Sequence, residues 1–219
     1  MITLPFFTWA LFGVIQQGQL LELPPIQVHG PTLLNIALKE DKLSHDRKLL
    51  KEDRESHARA FHLEIKRAFD QLLIEAKAGE IESMYRLGAY GAIFSKEGIA
   101  TMDKCLPWLE LAATKGHPVA PFDCAVLLLE SNIHSDKIKG FDWMKRSTEV
   151  GTCRSQAAVH LVRFYSYGSK DLSVKRNEKV ALEWAEKGAK LYGTSVGEFL
   201  VENGLQSPDK IRQSEIQFQ

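Results

Sequence analysis

The stretch Lys104-Cys-Leu-Pro-Trp-Leu-Glu-Leu-Ala-Ala-Thr-Lys-Gly116 decides how this chain folds, because two related stretches follow it. They run from Lys139-Gly-Phe-Asp-Trp143 to Gly151 and from Val180-Ala-Leu-Glu-Trp184 to Gly193. In each stretch a tryptophan precedes a glycine by eight or nine residues, and the three tryptophans lie 35 and 41 residues apart. Periods of this length are typical of stacked helical hairpins. The sequence therefore predicts an all-α solenoid.

A second pattern precedes each tryptophan and predicts the first helix, helix A, of each hairpin. Gly79-x3-Ser83-x3-Leu87-Gly88 puts small and apolar residues on one face, where small residues allow two helix axes to approach closely. Further copies are Gly116-x3-Ala120-x3-Cys124-Ala125, Ala157-x3-Leu161-x3-Tyr165-x2-Gly168 and a shortened helix opened by Gly193.

The boundaries of these helices follow from turn and cap residues. We predict that the first helix A spans residues 80–93, with a loop over 94–102 and Asp103 as the N-cap of the following helix B. Ser207-Pro-Asp is predicted to begin a last, capping helix, with serine at the N-cap and proline in the first turn.

Together these residues resemble the SLR family, the Sel-one-like repeats related to the tetratricopeptide repeat. The family pattern is roughly A-x3-L-G-x2-Y-x2-G, a loop, then K-A-x2-W-x3-A-A-x2-G. Lys104–Gly116 matches its second part almost fully and Ala157–Gly168 matches its first part, although Gly91 and Leu128 replace the family tyrosine in the first two units. The resemblance covers residues 79–204. It implies a right-handed α/α solenoid of about three to four helix-turn-helix repeats with an N-terminal helical extension.

The recurrent positions are interpreted as structural. One tryptophan per repeat in the same register favours packing between helices over a ligand cage. The structural repeat residues are Trp108, Trp143, Trp184, Gly79, Gly116 and Gly151.

The first 78 residues lie outside this pattern and divide in two before the solenoid of residues 79–219. Residues 1–38 are an apolar segment and a proline-rich linker; Leu23–Pro31 is predicted to be extended because paired prolines forbid a helix. The apolar run Thr3–Ile15 fits either a hydrophobic docking segment or first helix, or an atypical export signal or membrane anchor. The compartment, cytoplasmic or periplasmic, is left open.

Residues 39–78 form a charged, then amphipathic helical extension. We predict a helix over 33–77, broken near 41–45, whose stretch 39–57 is either a solvated helix held by pairs such as Lys42/Asp46 and Lys51/Glu55 or a frayed arm. After residue 57 the apolar residues fall on one face of the predicted helix: Phe61, Ile65, Phe69, Leu72 and Ala76.

Composition excludes some partners and leaves others open. Lysine plus arginine equals aspartate plus glutamate, 28 each, so the total charge carries no electrostatic footprint for nucleic acid or an anionic membrane. A charged binding face must therefore arise from local charge segregation. Three cysteines do not make a disulfide framework, and buried thiols are favoured over a single bridge.

Motifs for catalysis are weak. Gly193-Thr-Ser195-Val-Gly197 fits the nucleophile elbow of serine hydrolases, but that elbow needs a strand before the serine, and a helix is predicted there. His62-Leu-Glu64 is half of a zinc deaminase signature whose second half is missing from the sequence. We predict no catalytic residues, no metal ligands, no cofactor and a non-enzymatic protein.

The family resemblance implies where a partner binds, because its A helices line the concave side of the superhelix. It implies adaptors and regulators, including bacterial immunity proteins that mask one dedicated partner such as a secreted toxin. The alternative is a scaffold of an envelope complex, anchored by the apolar N-terminus. Residues on helix A that point away from the packing line are the candidate contacts: Arg86, Tyr90, Asp123, His160, Arg163, Phe164 and Tyr167.

Overall fold

The computed structural model describes residues 29–206, and within this range the regular structure is helical apart from one isolated bridge between Ser169 and Val174. The apolar run at 3–15 and the helix expected at Ser207 lie outside these residues. The helices are α1 Gly30–Ser44, α2 Lys51–Ala78, α3 Ile81–Ala89, α4 Gly91–Lys96, α5 Met102–Thr114, α6 Ala120–Leu129, α7 His134–Ser147, α8 Arg154–Tyr167, α9 Glu178–Tyr192 and α10 Val196–Glu202.

The helices form a series of hairpins, which confirms the predicted all-α helical repeat fold. α1 packs along α2, α3 along α5, α6 along α7 and α8 along α9, and each hairpin contacts the next through its neighbouring helix. α10 packs against α9 as the shortened fourth A helix. We call α3, α6, α8 and α10 the A helices, and α5, α7 and α9 the B helices.

The N-terminal extension is more regular than the sequence predicts. α1 begins at Gly30, so the prediction that the extended linker reaches Pro31 is wrong. Pro31 lies in the first turn of α1, where a proline costs the helix no hydrogen bond. The break lies at 45–50 rather than 41–45, and α1 crosses the predicted boundary at residue 38. The stretch 39–57 is helical on both sides of the break. The Lys51–Glu55 pair forms at 3.8 Å, whereas Asp46 lies in the turn and accepts a hydrogen bond from the Lys48 N–H.

A buried carboxylate joins the extension to the first repeat. Glu75 of α2 accepts hydrogen bonds from the Gly30 N–H at 2.9 Å and from the Ser83 hydroxyl at 2.6 Å. Burial by itself would raise the pKa of Glu75, but the donors around it, led by Ser83 and Gln71, outweigh burial and lower that pKa. An ionised Glu75 therefore ties the N-terminus of α1 to α2 and α3.

Two predicted boundaries in the first repeat are wrong. The helix expected over 80–93 ends at Ala89, with Tyr90 as its C-cap, and the chain turns into α4 over part of the stretch expected to be a loop. Asp103 is not the N-cap of α5: Thr101 holds that position in an extended conformation and Asp103 lies in the first turn. A carboxylate in the first turn still complements the helix dipole, which explains why the sequence signal is off by two residues.

The tryptophans pack against the core, although to different extents. Trp143 is 7% exposed, while Trp108 and Trp184 are half-buried at its edge. The residue after each tryptophan is fully buried: Leu109, Met144 and Ala185. All three tryptophans contact the core, and the residues that follow them are more deeply buried than the tryptophans themselves.

Small residues set the distance between helices. A Cβ added to Gly88 of α3 would lie 2.3 Å from the Cβ of Leu109 in α5, and one added to Gly140 of α7 would lie 2.9 Å from the Cβ of Leu128 in α6. Gly151 has φ +86°, and a Cβ there would lie 2.2 Å from the Pro118 carbonyl oxygen. Gly79 and Gly116 also have positive φ, at or just after the ends of α2 and α5.

The cysteines are free thiols, as favoured from the sequence. Cys105 and Cys124 are buried in α5 and α6, and Cys153 is half-buried before α8. Burial raises the pKa of Cys124 to about 12, so its thiol stays protonated and behaves as a small apolar group.

Replacing Trp143 by alanine should lower the free energy of unfolding by about 3–5 kcal/mol, because a large buried side chain is lost and a cavity remains. Trp108→Ala should cost less, since Trp108 is half-buried. Urea denaturation followed by circular dichroism measures both. Equal losses for the two variants, or an unchanged Trp143→Ala protein, would contradict this packing.

Gly88→Ala should lower the free energy of unfolding by about 1–3 kcal/mol, because the new methyl group forces α3 and α5 apart. Gly197→Ala is the matched control: its Cβ meets nothing within 4 Å, so alanine should be neutral or raise stability by about 0.5–1 kcal/mol. The same denaturation experiment ranks the stabilities of the two variants. If Gly197→Ala is the less stable of the two, α3 and α5 are not in close contact at Gly88.

Candidate functional site

The seven candidate contact residues lie on or at the ends of three A helices. Arg86 lies in α3 and Tyr90 at its C-terminal cap; Asp123 lies in α6. His160, Arg163, Phe164 and Tyr167 follow one face of α8. Direct contacts between consecutive A helices join this set into a row.

The first link in the row joins α3 to α6. The Tyr85 hydroxyl donates a hydrogen bond of 2.8 Å to Oδ2 of Asp123. Burial, followed by the bond to Asp123, raises the pKa of Tyr85, so the phenol stays protonated and keeps donating. The Tyr85 ring also stacks on His117, with centroids 4.0 Å apart and planes 15° from parallel. Asp123 is therefore held in place by its neighbour in the row.

A carboxylate organises the α3 side of this link. Oε1 of Glu82 accepts from Nε of Arg86 at 2.5 Å, and Oε2 lies 3.1 Å from Nε2 of His117. Nδ1 of His117 accepts from the N–H groups of Val119 and Ala120 at the start of α6, which assigns the ring proton to Nε2 and makes it a donor to Glu82.

The pKa of Glu82 reflects these contacts. Burial alone would raise it, but the hydrogen bonds from Arg86 and His117, together with the positive charge of Arg86, outweigh burial and lower it below its ordinary value of 4.5. Glu82 is thus ionised at neutral pH and bridges α3 to the start of α6.

The second link joins α6 to α8 through aromatic contact. The rings of Phe122 and His160 meet edge to face, with centroids 5.7 Å apart. Burial, with a smaller contribution from the charge of Arg163, lowers the pKa of His160. His160 is half-buried and neutral at pH 7, which suits contact with an apolar ring.

The row continues to α10 and branches towards α7. Nη2 of Arg163 donates to the Asn203 carbonyl at 3.3 Å, and the guanidinium stays exposed. Phe164 turns instead towards Phe141 of α7, with centroids 5.4 Å apart, and is half-buried. Tyr167 is 58% exposed at the end of α8. We define the A-helix row by Tyr85, Arg86, Tyr90, Phe122, Asp123, His160, Arg163 and Tyr167.

Sequence reasoning missed Glu82, Tyr85, Phe122 and His117. The Glu82–Arg86 spacing of four residues was available as a helix pair. His117 lies 35 residues from Glu82, and only the fold brings the two together.

The weak catalytic patterns have structural uses. The Ser195 hydroxyl accepts from the Glu198 N–H at 3.3 Å, and Oε2 of Glu198 accepts from the Ser195 N–H at 3.1 Å, which makes a capping box at the start of α10. The hydrogen bonds from Thr194 and Ser195 lower the pKa of Glu198 to about 2. Ser195 follows a helix and a short turn, not a strand. His62 pairs with Glu97 at 3.0 Å, and Glu64 with Arg67 at 2.8 Å.

Residues 29–206 also lack the features of two other classes of site. In that range no three His, Cys, Asp or Glu side chains are grouped to hold a metal ion. No helix in the same range has the length and apolar character needed to span a membrane. Comparison with protein-family models, curated proteins and solved structures gives no match for this chain.

The Glu82 bridge makes stability depend on pH. Because the pKa of Glu82 is lower in the folded chain than in the unfolded chain, its contribution is complete above pH 4.5 and is lost as the pH falls through the folded value. Glu82→Gln should therefore be less stable than the parent at pH 7, and the gap should close at acidic pH.

Urea unfolding across this pH range measures the gap, and Arg86→Gln in the Glu82→Gln background is the control. Once residue 82 is neutral, removing Arg86 should hardly change how the free energy of unfolding varies with pH below 4.5. A gap between parent and Glu82→Gln that is the same at neutral and acidic pH would rule out an ionised bridge.

Proposed function

We propose that this chain is a non-enzymatic protein–protein interaction module of the SLR type that binds and masks one dedicated partner. In its most concrete form it is a bacterial immunity or regulatory protein, acting on a partner such as a secreted toxin effector. The observation that carries the proposal is the A-helix row, where aromatic and charged side chains of consecutive A helices adjoin.

Residue types in the row suit a protein partner. Tyrosine and arginine dominate binding energy at interfaces because they combine large contact area with directed hydrogen bonds. The exposed members of the row, Arg163 and Tyr167 of α8, offer this chemistry. The row is also preorganised: Arg86 is held by Glu82, and Asp123 by Tyr85. Side chains that are already fixed lose less conformational entropy when a partner binds.

The proposed mechanism is steric masking. A partner whose active cleft lies against the row is shielded from its substrate, and this needs no chemical step by the chain. The function belongs to the row and its neighbours, since a helical repeat fold by itself serves many functions.

An alternative is a scaffold or assembly factor of an envelope complex, anchored through Thr3–Ile15. The apolar character of that run favours this alternative. Deleting residues 3–15 and following localisation separates the two functions: an anchored scaffold leaves the membrane fraction, whereas a masking protein keeps its partner.

Arg163→Glu should weaken binding of the dedicated partner at least about 30-fold, because reversing a hot-spot charge costs about 2 kcal/mol or more. The partner is first recovered by affinity capture from native cells under a salt wash. Binding of the purified pair is then measured by isothermal titration calorimetry.

Lys190→Glu is the matched control, since Lys190 is an exposed cation on the B helix α9 and lies outside the row. It should leave the affinity unchanged, and both variants should keep the helical circular dichroism signal. If Arg163→Glu binds the partner as tightly as the parent does, the interface lies outside the row.

A further inference from the structure

A cleft with a volume of about 600 Å³ lies between the first two repeats, on the side of the B helices. It is lined mainly by α5, by the end of α6 and by the 130–133 turn into α7. The A-helix row uses different residues, so this cleft is a second surface whose function does not depend on the row.

Acidic side chains surround the cleft. Asp103, Glu110, Glu130 and Asp136 line it, and Lys139 is the one cation among its lining residues. Lys139 pairs with Glu110 across α7 and α5. The chain as a whole is neutral, with 28 residues of each sign, so the cleft is a place where charge is segregated.

The interior of the cleft is apolar. Leu106 of α5 and Leu127 and Leu128 of α6 contribute aliphatic surface, and Met102 adds a flexible side chain. At the rim Ile133 is 60% exposed, just before α7 begins. An exposed isoleucine beside an apolar cleft with an acidic rim is an arrangement suited to an amphipathic ligand.

The spacing of the acids points to a peptide and not to a metal ion. Within the described part of the chain these carboxylates do not converge as a group of ligands. Separate carboxylates around an apolar interior complement separate cations around an apolar side chain. A volume of this size accommodates a few side chains.

We propose that this cleft docks a segment of a partner protein in which one or two apolar side chains are flanked by lysine or arginine. The apolar side chains enter between Leu106 and Leu127, and the cations meet the acidic rim. This gives the chain a docking site for a basic, apolar peptide in addition to the A-helix row.

The test selects ligands from a library of short random peptides displayed on phage, with the full chain as bait and Glu130→Lys as the counter-selection bait. Enriched peptides should carry lysine or arginine next to apolar residues. The best peptide, made with a fluorescent label, is then titrated by anisotropy.

Two variants test the two halves of the cleft without threatening the fold. Glu130→Lys puts a cation at the C-terminal cap of α6, where the helix dipole favours it, and Ile133→Ser puts a serine at the N-cap position of α7. Each substitution should weaken binding of the labelled peptide at least about tenfold. Higher salt should weaken binding to the parent chain more than binding to Glu130→Lys.

Matched controls are Glu186→Lys on α9 and Leu63→Ser on α2, both exposed and far along the chain from the cleft. Neither should change the affinity, and Arg163→Glu should also leave it intact. The proposal is overturned if enriched peptides show no basic and apolar bias, or if they bind Glu130→Lys and Ile133→Ser as well as the parent. A dimer of the chain that Glu130→Lys dissociates would also overturn it, in favour of a second copy as the occupant.

Discussion

Close approach of helices at small residues is the constraint on which the rest of this structure depends. Gly88 lets α3 lie against the backbone of α5 at Leu109, and Gly140 lets α7 lie against α6. At the end of the array Gly188 gives the same space to the ring of Phe199 in α10. A side chain at any of these places would push two helices apart. With the helices this close, side chains of neighbouring A helices touch.

The A-helix row follows from that spacing. The Tyr85–Asp123 hydrogen bond, the Phe122–His160 contact and the Arg163–Asn203 hydrogen bond each join one A helix to the next. The same contacts that hold successive repeats together also fix the side chains proposed to meet a partner. We therefore expect binding and stability to be coupled along the row, most strongly at the half-buried residues and least at exposed Arg163 and Tyr167.

Much of the fold could be predicted from the sequence because the signal repeats. The recurrence of tryptophan, paired small residues and glycine predicts helical hairpins, and a regular apolar stripe predicts α2 from Phe61 onwards. The helix boundaries were harder to predict. Both Thr101 and Asp103 are good cap residues, and local propensity favours aspartate, whereas the structure places Thr101 at the cap. The turn at Tyr90 depends on packing: Gly91 of α4 lies so near α5 that an added Cβ would be 2.7 Å from the Cβ of Cys105.

The candidate site was predictable only in part, for a related reason. Helical periodicity identifies which face of α8 carries His160 and Arg163, but it does not identify partners on other helices. The Glu82–His117 bridge and the acidic cleft join residues far apart in the chain, and a balanced total charge conceals both. Periodicity is similarly limited for Trp108 and Trp184: it predicts which side of the helix they lie on, but not how deeply they are buried.

Hydrogen–deuterium exchange on the complex with its captured partner would test the central claim most directly. Slower exchange is expected in α3, α6 and α8, together with the turn after Tyr167, because the row lies on these elements. The B helices α7 and α9, which carry none of the row, should exchange as they do in the free chain. Protection confined to α7 and α9, with α3, α6 and α8 unchanged, would contradict the assignment of the A-helix row as the partner-binding face.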